Sequence, residues 1–148
     1  MKNFILRSAL PMLLLGVGIG ASIDSDEKTS EDALPSVHFL EIVTPDLEET
    51  CAAYERIHGL EFSEPIVELG GARTASLANG ATLSVRAPMR VDEAPVVRPY
   101  FLVDDIEAAA KNAAEAGGEI AIPPMEIPGR GKFSIFLLGG IDHALWQL

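Results

Sequence analysis

Residues 38–64 read HFLEIVTPDLEETCAAYERIHGLEFSE. This stretch parses as strand, helix, strand. The apolar run Phe39–Val43 suits a strand, and Thr44-Pro45 stops it, because proline cannot continue a ladder. Asp46 can cap a helix N-terminus, and Glu48 and Glu49 suit the positive end of its dipole. Leu47, Cys51, Tyr54 and Ile57 follow at helical spacing and predict one buried stripe. Gly59 ends the helix, and Leu60-Glu61-Phe62 begins a new alternating segment.

Working outward, the N-terminus differs from the rest. Lys2 and Arg7 form a short positive leader, and the apolar run 9–21 (ALPMLLLGVGIGA) ends in small residues. This is the pattern of a secretory signal peptide over residues 1–22. The run is shorter than the ~20 residues needed to span a bilayer, so an uncleaved anchor is the weaker alternative. Export to the periplasm or beyond is expected. Residues 23–35 (IDSDEKTSEDALP) are acidic and without period, as in a flexible linker. The formal net charge is −11 and every acidic residue lies beyond the leader. Such a balance argues against nucleic acid and anionic membrane surfaces as partners of the mature domain. The single cysteine, Cys51, allows no intrachain disulfide and sits on the apolar stripe as a small core residue.

The domain spans 36–148. After the first helix, the segments 61–69, 72–77 and 82–87 read as strands, separated by Gly70-Gly71 and Ala78-Asn79-Gly80 turns. The polar segment 89–97 is a connector. Residues 98–103 (RPYFLV) predict a strand, and Asp104 or Asp105 caps a second helix with Ile106, Ala109, Ala110 and Ala113 on its apolar face. Gly117-Gly118 closes it. A short strand at 119–122, a long loop at 123–132, and strands at 133–138 and 143–148 complete the chain. VTPDLEETCAA aligns with FLVDDIEAAAKNA, so the chain holds two βαβββ repeats, about 36–88 and 97–148. The predicted fold class is α+β, with the two repeats forming a cupped mixed sheet. Each half alone leaves a sheet face bare, so the halves pack together or swap between chains.

The Asp46-Leu47-Glu48, Tyr54 and Gly59 pattern occurs with Val103-Asp104-Asp105-Ile106, Ala116-Gly117-Gly118, Pro123-Pro124, residues 129–133 and Ala144-Leu145-Trp146-Gln147. In this order and spacing the chain resembles the vicinal oxygen chelate superfamily, which includes glyoxalase I, bleomycin-resistance proteins and extradiol dioxygenases. The resemblance implies a divalent metal held by His, Gln or Glu from four strands, and a homodimer. Carried over by spacing, the four ligand positions fall at Phe39, Ser84, Arg98 and Trp146. None is a usual ligand for zinc or iron. Moving the first strand by one residue would place His38 or Leu40 there, leaving at most one ligand. No metal site and no cofactor are therefore expected.

Strand alternation predicts what the cup holds instead. With Phe39 facing inward, Glu41, Ser84, Arg86, Arg98, Tyr100 and Trp146 share the cup. Apolar walls with a few polar groups suit a small-molecule ligand. Arg98 can grip a carboxylate or phosphate with two hydrogen bonds, and Tyr100 and Trp146 can stack on a flat ligand. The alternative is a Glu41–Arg98 ion pair that seals a filled cup. His38 is expected to point away, against a helix or solvent; His58 sits at a helix end; His143 opens the last strand. The loop 123–132 can act as a flap or as a plain connection. No paired carboxylates, Ser-His-Asp order, P-loop or Rossmann fingerprint appears, so no catalytic residue is identified. The leading expectation is an exported, metal-free member of the resembled superfamily that binds a small anionic or aromatic ligand. A metal-dependent lyase, isomerase or dioxygenase and a non-catalytic interaction protein are the alternatives.

Overall fold

A computed structural model describes residues 35–148. The predicted leader and nearly all of the acidic linker lie in 1–34, outside the described residues. The elements are β1 (Val37–Val43), α1 (Leu47–His58), β2 (Arg73–Ser76), β3 (Thr82–Arg86), β4 (Val96–Leu102), α2 (Ile106–Glu115), β5 (Glu119–Ile127), β6 (Gly131–Leu138) and β7 (Ile141–Gln147). The seven strands form one mixed sheet in the order β2-β3-β1-β4-β7-β6-β5.

The repeat is visible in the ladder. β1 pairs parallel with β3, and β4 pairs parallel with β7. The hairpins β2–β3 and β6–β7 are both antiparallel. The two halves join within the chain through the antiparallel β1–β4 pair, where Glu41 stands opposite Arg98. The first repeat, however, lacks its second strand. Residues 61–69 were expected to form one, but they make only an isolated bridge from Ile66 to Ala72, then a 3-10 turn at Val67–Leu69. The backbone of Ser63 still reaches Thr74, at 2.8 Å. Pro65 and the turn interrupt the ladder, since proline supplies no donor.

The second repeat departs in the other direction. The segment 123–132 is not a long loop, and it is not a flap. β5 runs through Pro123 and Pro124 to Ile127, and the link to β6 is three residues. The prolines are tolerated because β5 is an edge strand. Its register breaks on either side of Ile122, absorbing them. Gly131 starts β6 at φ +106, and a Cβ there would lie 2.0 Å from the Gln147 carbonyl oxygen, so only glycine lets the two strands approach this closely.

One sheet face packs on the helices and the other forms the cup. On the α1 side, Ile42, Cys51, Leu83 and Val85 are buried, with Leu47 and Tyr54 against them. Burying such side chains contributes about 1.5–3 kcal/mol each. Ile57, predicted on this stripe, is instead 69% exposed: the helix outruns the short strands β2 and β3 beneath it. The Cys51 thiol is pushed up from its usual pKa by burial, as befits an inert core group. Asp46 makes no side-chain cap; its amide is instead bonded to Thr44 Oγ1 at 3.2 Å. Asp105 is the cap of α2, its carboxylate accepting from the Ala108 amide at 3.0 Å. Gly59 ends α1 in the left-handed region at φ 66. On the cup face, Phe39, Tyr100, Ile135, Ala144 and Trp146 form a second buried cluster.

Candidate ligand-binding site

Three adjacent strands set the floor of the cup. Glu41 on β1 faces Ser84 on β3 and Arg98 on β4, so three polar side chains stand abreast across the sheet. Arg86 and Tyr100 lie two residues further along β3 and β4, on the same face. Glu41 is their hub. Its Oε1 accepts from Arg86 Nε at 2.6 Å. Its Oε2 accepts from Arg98 Nη1 and from the Tyr100 hydroxyl, the latter at 3.0 Å.

Two further carboxylates complete the network. Arg86 donates from Nη1 and Nη2 to the two oxygens of Glu93, at 3.0 and 2.7 Å. Arg98 Nη2 donates to Asp142 Oδ2 at 2.5 Å. Glu41, Arg86 and Arg98 are each more than nine-tenths buried. Charges removed from water in this way persist only when paired and hydrogen-bonded, which is what the three carboxylates provide. Burial opposes the charge on Arg86 and Arg98, but their carboxylate partners outweigh it, and both guanidinium pKa values rise above the usual arginine range. Burial, reinforced by the negative charge of Glu41, raises the Tyr100 hydroxyl well above its ordinary value, so it stays a neutral donor. Hydrogen bonds from Arg86 hold Glu93 down to about 2.

Above this floor is a cavity of about 460 Å³. All seven residues assigned to the cup by strand alternation line it: Phe39, Glu41, Ser84, Arg86, Arg98, Tyr100 and Trp146. Phe39 and Trp146 stack at 4.9 Å between centroids, and Tyr100 meets both edge-on, at 5.5 and 5.7 Å. Phe133, Ile135 and Leu137 on β6 and Ile122 and Ile127 on β5 supply the far wall. The Glu41–Arg98 ion pair forms, yet the cup is not filled. The two terminal nitrogens of Arg98 are taken by Glu41 and Asp142, so the paired donors expected to grip an anion are already in use. Ser84 Oγ and Arg98 Nε are buried and have no hydrogen-bond partner among the described residues.

The family model of the Glyoxalase/Bleomycin resistance protein/Dioxygenase superfamily matches residues 36–148. The chain belongs to this superfamily. CFP32 of Mycobacterium tuberculosis, provisionally named a glyoxylase, is 25% identical over 126 residues, covering 81% of this chain and 48% of its own length. The chain thus spans about half of that relative. The anthracycline biosynthesis protein DnrV of Streptomyces peucetius is 37% identical over 49 residues, which is 32% of this chain and 18% of DnrV. Among solved structures, a Streptomyces coelicolor methylmalonyl-CoA epimerase superposes with a TM-score of 0.58 at 19% identity, covering 75% of this chain and 95% of the epimerase. A Bacillus halodurans protein, BH1468, gives 0.62 at 10% identity over 78% and 95%. These structural likenesses speak to the fold.

Membership in the superfamily raises the question of a divalent metal. Its four expected ligand positions hold Phe39, Ser84, Arg98 and Trp146. Two are stacked aromatic rings and one is a guanidinium cation, while every oxygen of Glu41 is bonded to arginine or Tyr100. Among the described residues no three His, Cys, Asp or Glu side chains group as ligands. The donor set does not fit such an ion, since the rings and the guanidinium offer it no lone pair and the Glu41 oxygens are already in use.

The three histidines stand apart from the cavity lining. His38 is half-buried and, at a register break between Val37 and Phe39, lies against Trp146, at 5.9 Å between rings. His143 stacks on Phe136 at 5.2 Å, and His58 lies beside Tyr54 at the end of α1. Two site residues escaped the sequence reading. Asp142 falls just before the strand predicted at 143–148, but β7 starts at Ile141, so Asp142 shares the inward face with Ala144 and Trp146. Glu93 lies in the 89–97 connector, where no periodicity marks an inward side chain.

Glu93 provides a pH handle. Its carboxyl titrates near 4.5 when unconstrained and near 2 in the fold. A depressed acid stabilises the fold above its unfolded pKa, and that contribution is lost as pH falls from about 4.5 toward 2. Near the rim, solvent screening limits it to about 1–2 kcal/mol. Thermal unfolding of Glu93→Gln is therefore expected to fall below wild type by this amount at pH 7 and to converge with it near pH 2. A gap that stays constant with pH would contradict the assignment.

Proposed function

We propose that this superfamily member is an exported, metal-free protein that binds a small, flat, largely apolar molecule in the cup. The observation that carries this reading is the aromatic-walled cavity standing over a floor whose arginines are already paired with carboxylates. Such a floor offers a ligand orientation by hydrogen bonding, while the stacking surfaces of Phe39, Tyr100 and Trp146 supply most of the affinity. The same pairing favours an aromatic body over an anion as the main recognition element. The positive, apolar, small-residue order of the first 22 residues supports export.

The test is calorimetric titration of the purified domain with 2-naphthylmethanol, a neutral flat probe. Saturable one-to-one binding is expected. Ala121 lines the cavity from the exposed edge strand β5, so Ala121→Phe narrows the cavity at little cost to the fold. That variant is expected to weaken binding about tenfold, since about ten lost atom–atom contacts at about 0.1–0.2 kcal/mol each amount to about 1.4 kcal/mol. No binding to wild type, or equal binding to the variant, would sink the reading.

A further inference from the structure

Taking the cup as a ligand site, we propose that it selects an aromatic molecule bearing a cationic amine, with the ammonium held at Asp142 and the ring packed against Tyr100 and Trp146. Two guanidiniums and three carboxylates form the floor network, leaving one formal negative charge in excess. The balance is the same over the whole lining, where four acidic side chains face three basic ones. The excess has an address. Five of the six oxygens of Glu41, Glu93 and Asp142 accept a hydrogen bond, whereas Asp142 Oδ1 accepts none among the described residues. Asp142 is also the most open of the three, with 31% of its side chain exposed.

The surroundings suit a cation with a ring. Asp142 and Trp146 share one face of β7, about 13 Å apart along the strand. Only the small Ala144 stands between them on that face. A bicyclic ring with a one-carbon amine arm spans that gap. The rings of Trp146, Tyr100 and Phe39 then contact the aromatic body, while the charge sits at Asp142. The unpartnered Ser84 Oγ is a further buried acceptor on the floor. An anionic ligand would instead meet net negative charge, with the terminal nitrogens of both arginines occupied.

Three probes of one shape separate the contributions: 2-naphthylmethylammonium, 2-naphthylmethanol and 2-naphthoate, each titrated calorimetrically at pH 7 into the full domain. The ammonium is expected to bind about tenfold tighter than the alcohol, and the carboxylate most weakly. The preference should shrink as salt is raised. Asp142→Asn keeps the size of the side chain and an acceptor for Arg98, so the fold is retained. It should bring the ratio of ammonium to alcohol affinity down to about one, whatever the change in the alcohol itself. Naphthoate binding as tightly as the ammonium, or an ammonium preference intact in Asp142→Asn, would overturn this inference while leaving the ligand site standing. No binding of the alcohol would sink the ligand site on which this inference rests, and so remove both.

Discussion

Replacing Glu41 by alanine is expected to destabilise the domain by about 3–5 kcal/mol, the range for breaking a buried ion pair from one side. The reason is the number of groups that lose a partner at once. Arg86 Nε, Arg98 Nη1 and the Tyr100 hydroxyl all donate to this one carboxylate. Each buried donor left without an acceptor costs roughly 1–3 kcal/mol. Glu93 and Asp142 still neutralise the two guanidiniums, and water in the cavity can reach part of the gap, so the effect does not exceed this range. Glu41→Gln separates charge from volume. The amide keeps the shape and one acceptor but presents an NH2 to a guanidinium, so about 2–3 kcal/mol is expected. Urea unfolding monitored by circular dichroism measures both. A loss under about 1 kcal/mol in Glu41→Ala would mean that the network is solvated and not a buried unit.

Trp146→Ala is expected to cost about 3–5 kcal/mol as well, for a different reason: the loss of a large, buried ring and the void it leaves. Trp146 is 3% exposed, stacks on Phe39 and meets Tyr100 edge-on. Its Nε1 donates to the Arg130 carbonyl at 3.2 Å, tying β7 to the β5–β6 turn. Trp146 and Phe39 also form the partition between the cavity and an open groove lined by His38, Thr74 and Gly131. Truncating the ring joins the two spaces. Binding of 2-naphthylmethanol should therefore weaken about five- to tenfold, as a stacking partner worth about 1–1.5 kcal/mol is lost. Trp146→Phe retains a ring and gives up the Arg130 bond, so a smaller loss of about 1–2 kcal/mol is expected. Equal stability of wild type and Trp146→Ala would contradict the packing described for the cup.

The cup residues were readable because strand alternation is a strict rule. Once Phe39 is turned inward, Glu41 must follow, and the same parity fixes Ser84 with Arg86 and Arg98 with Tyr100. Legibility failed where backbone irregularity or context intervened. Pro123-Pro124 looks like a loop in isolation, but at a sheet edge a missing amide donor costs little, and the strand continues. Residues 61–69 alternate well enough for a strand, yet Pro65 and the 3-10 turn leave only an isolated bridge from Ile66 to Ala72 and the Ser63 bonds to β2. Ile57 follows the helical period, but a stripe is buried only where there is something beneath it. The inward carboxylate of Glu93 comes from an aperiodic connector and was invisible for that reason. The family's helix signature, Asp46 to Gly59, is kept in full, although Asp46 itself does not cap. It specifies the scaffold and leaves the floor of the cup free to diverge, as expected when one fold hosts many functions.

That divergence is tested most directly by titrating 2-naphthylmethanol into the purified domain twice, once after dialysis against a chelator and once with equimolar zinc or nickel added. The account predicts identical binding curves, because Phe39, Ser84, Arg98 and Trp146 offer such an ion no site and the ligand is held by rings and hydrogen bonds. Binding that disappears with the chelator and returns with the metal would contradict it.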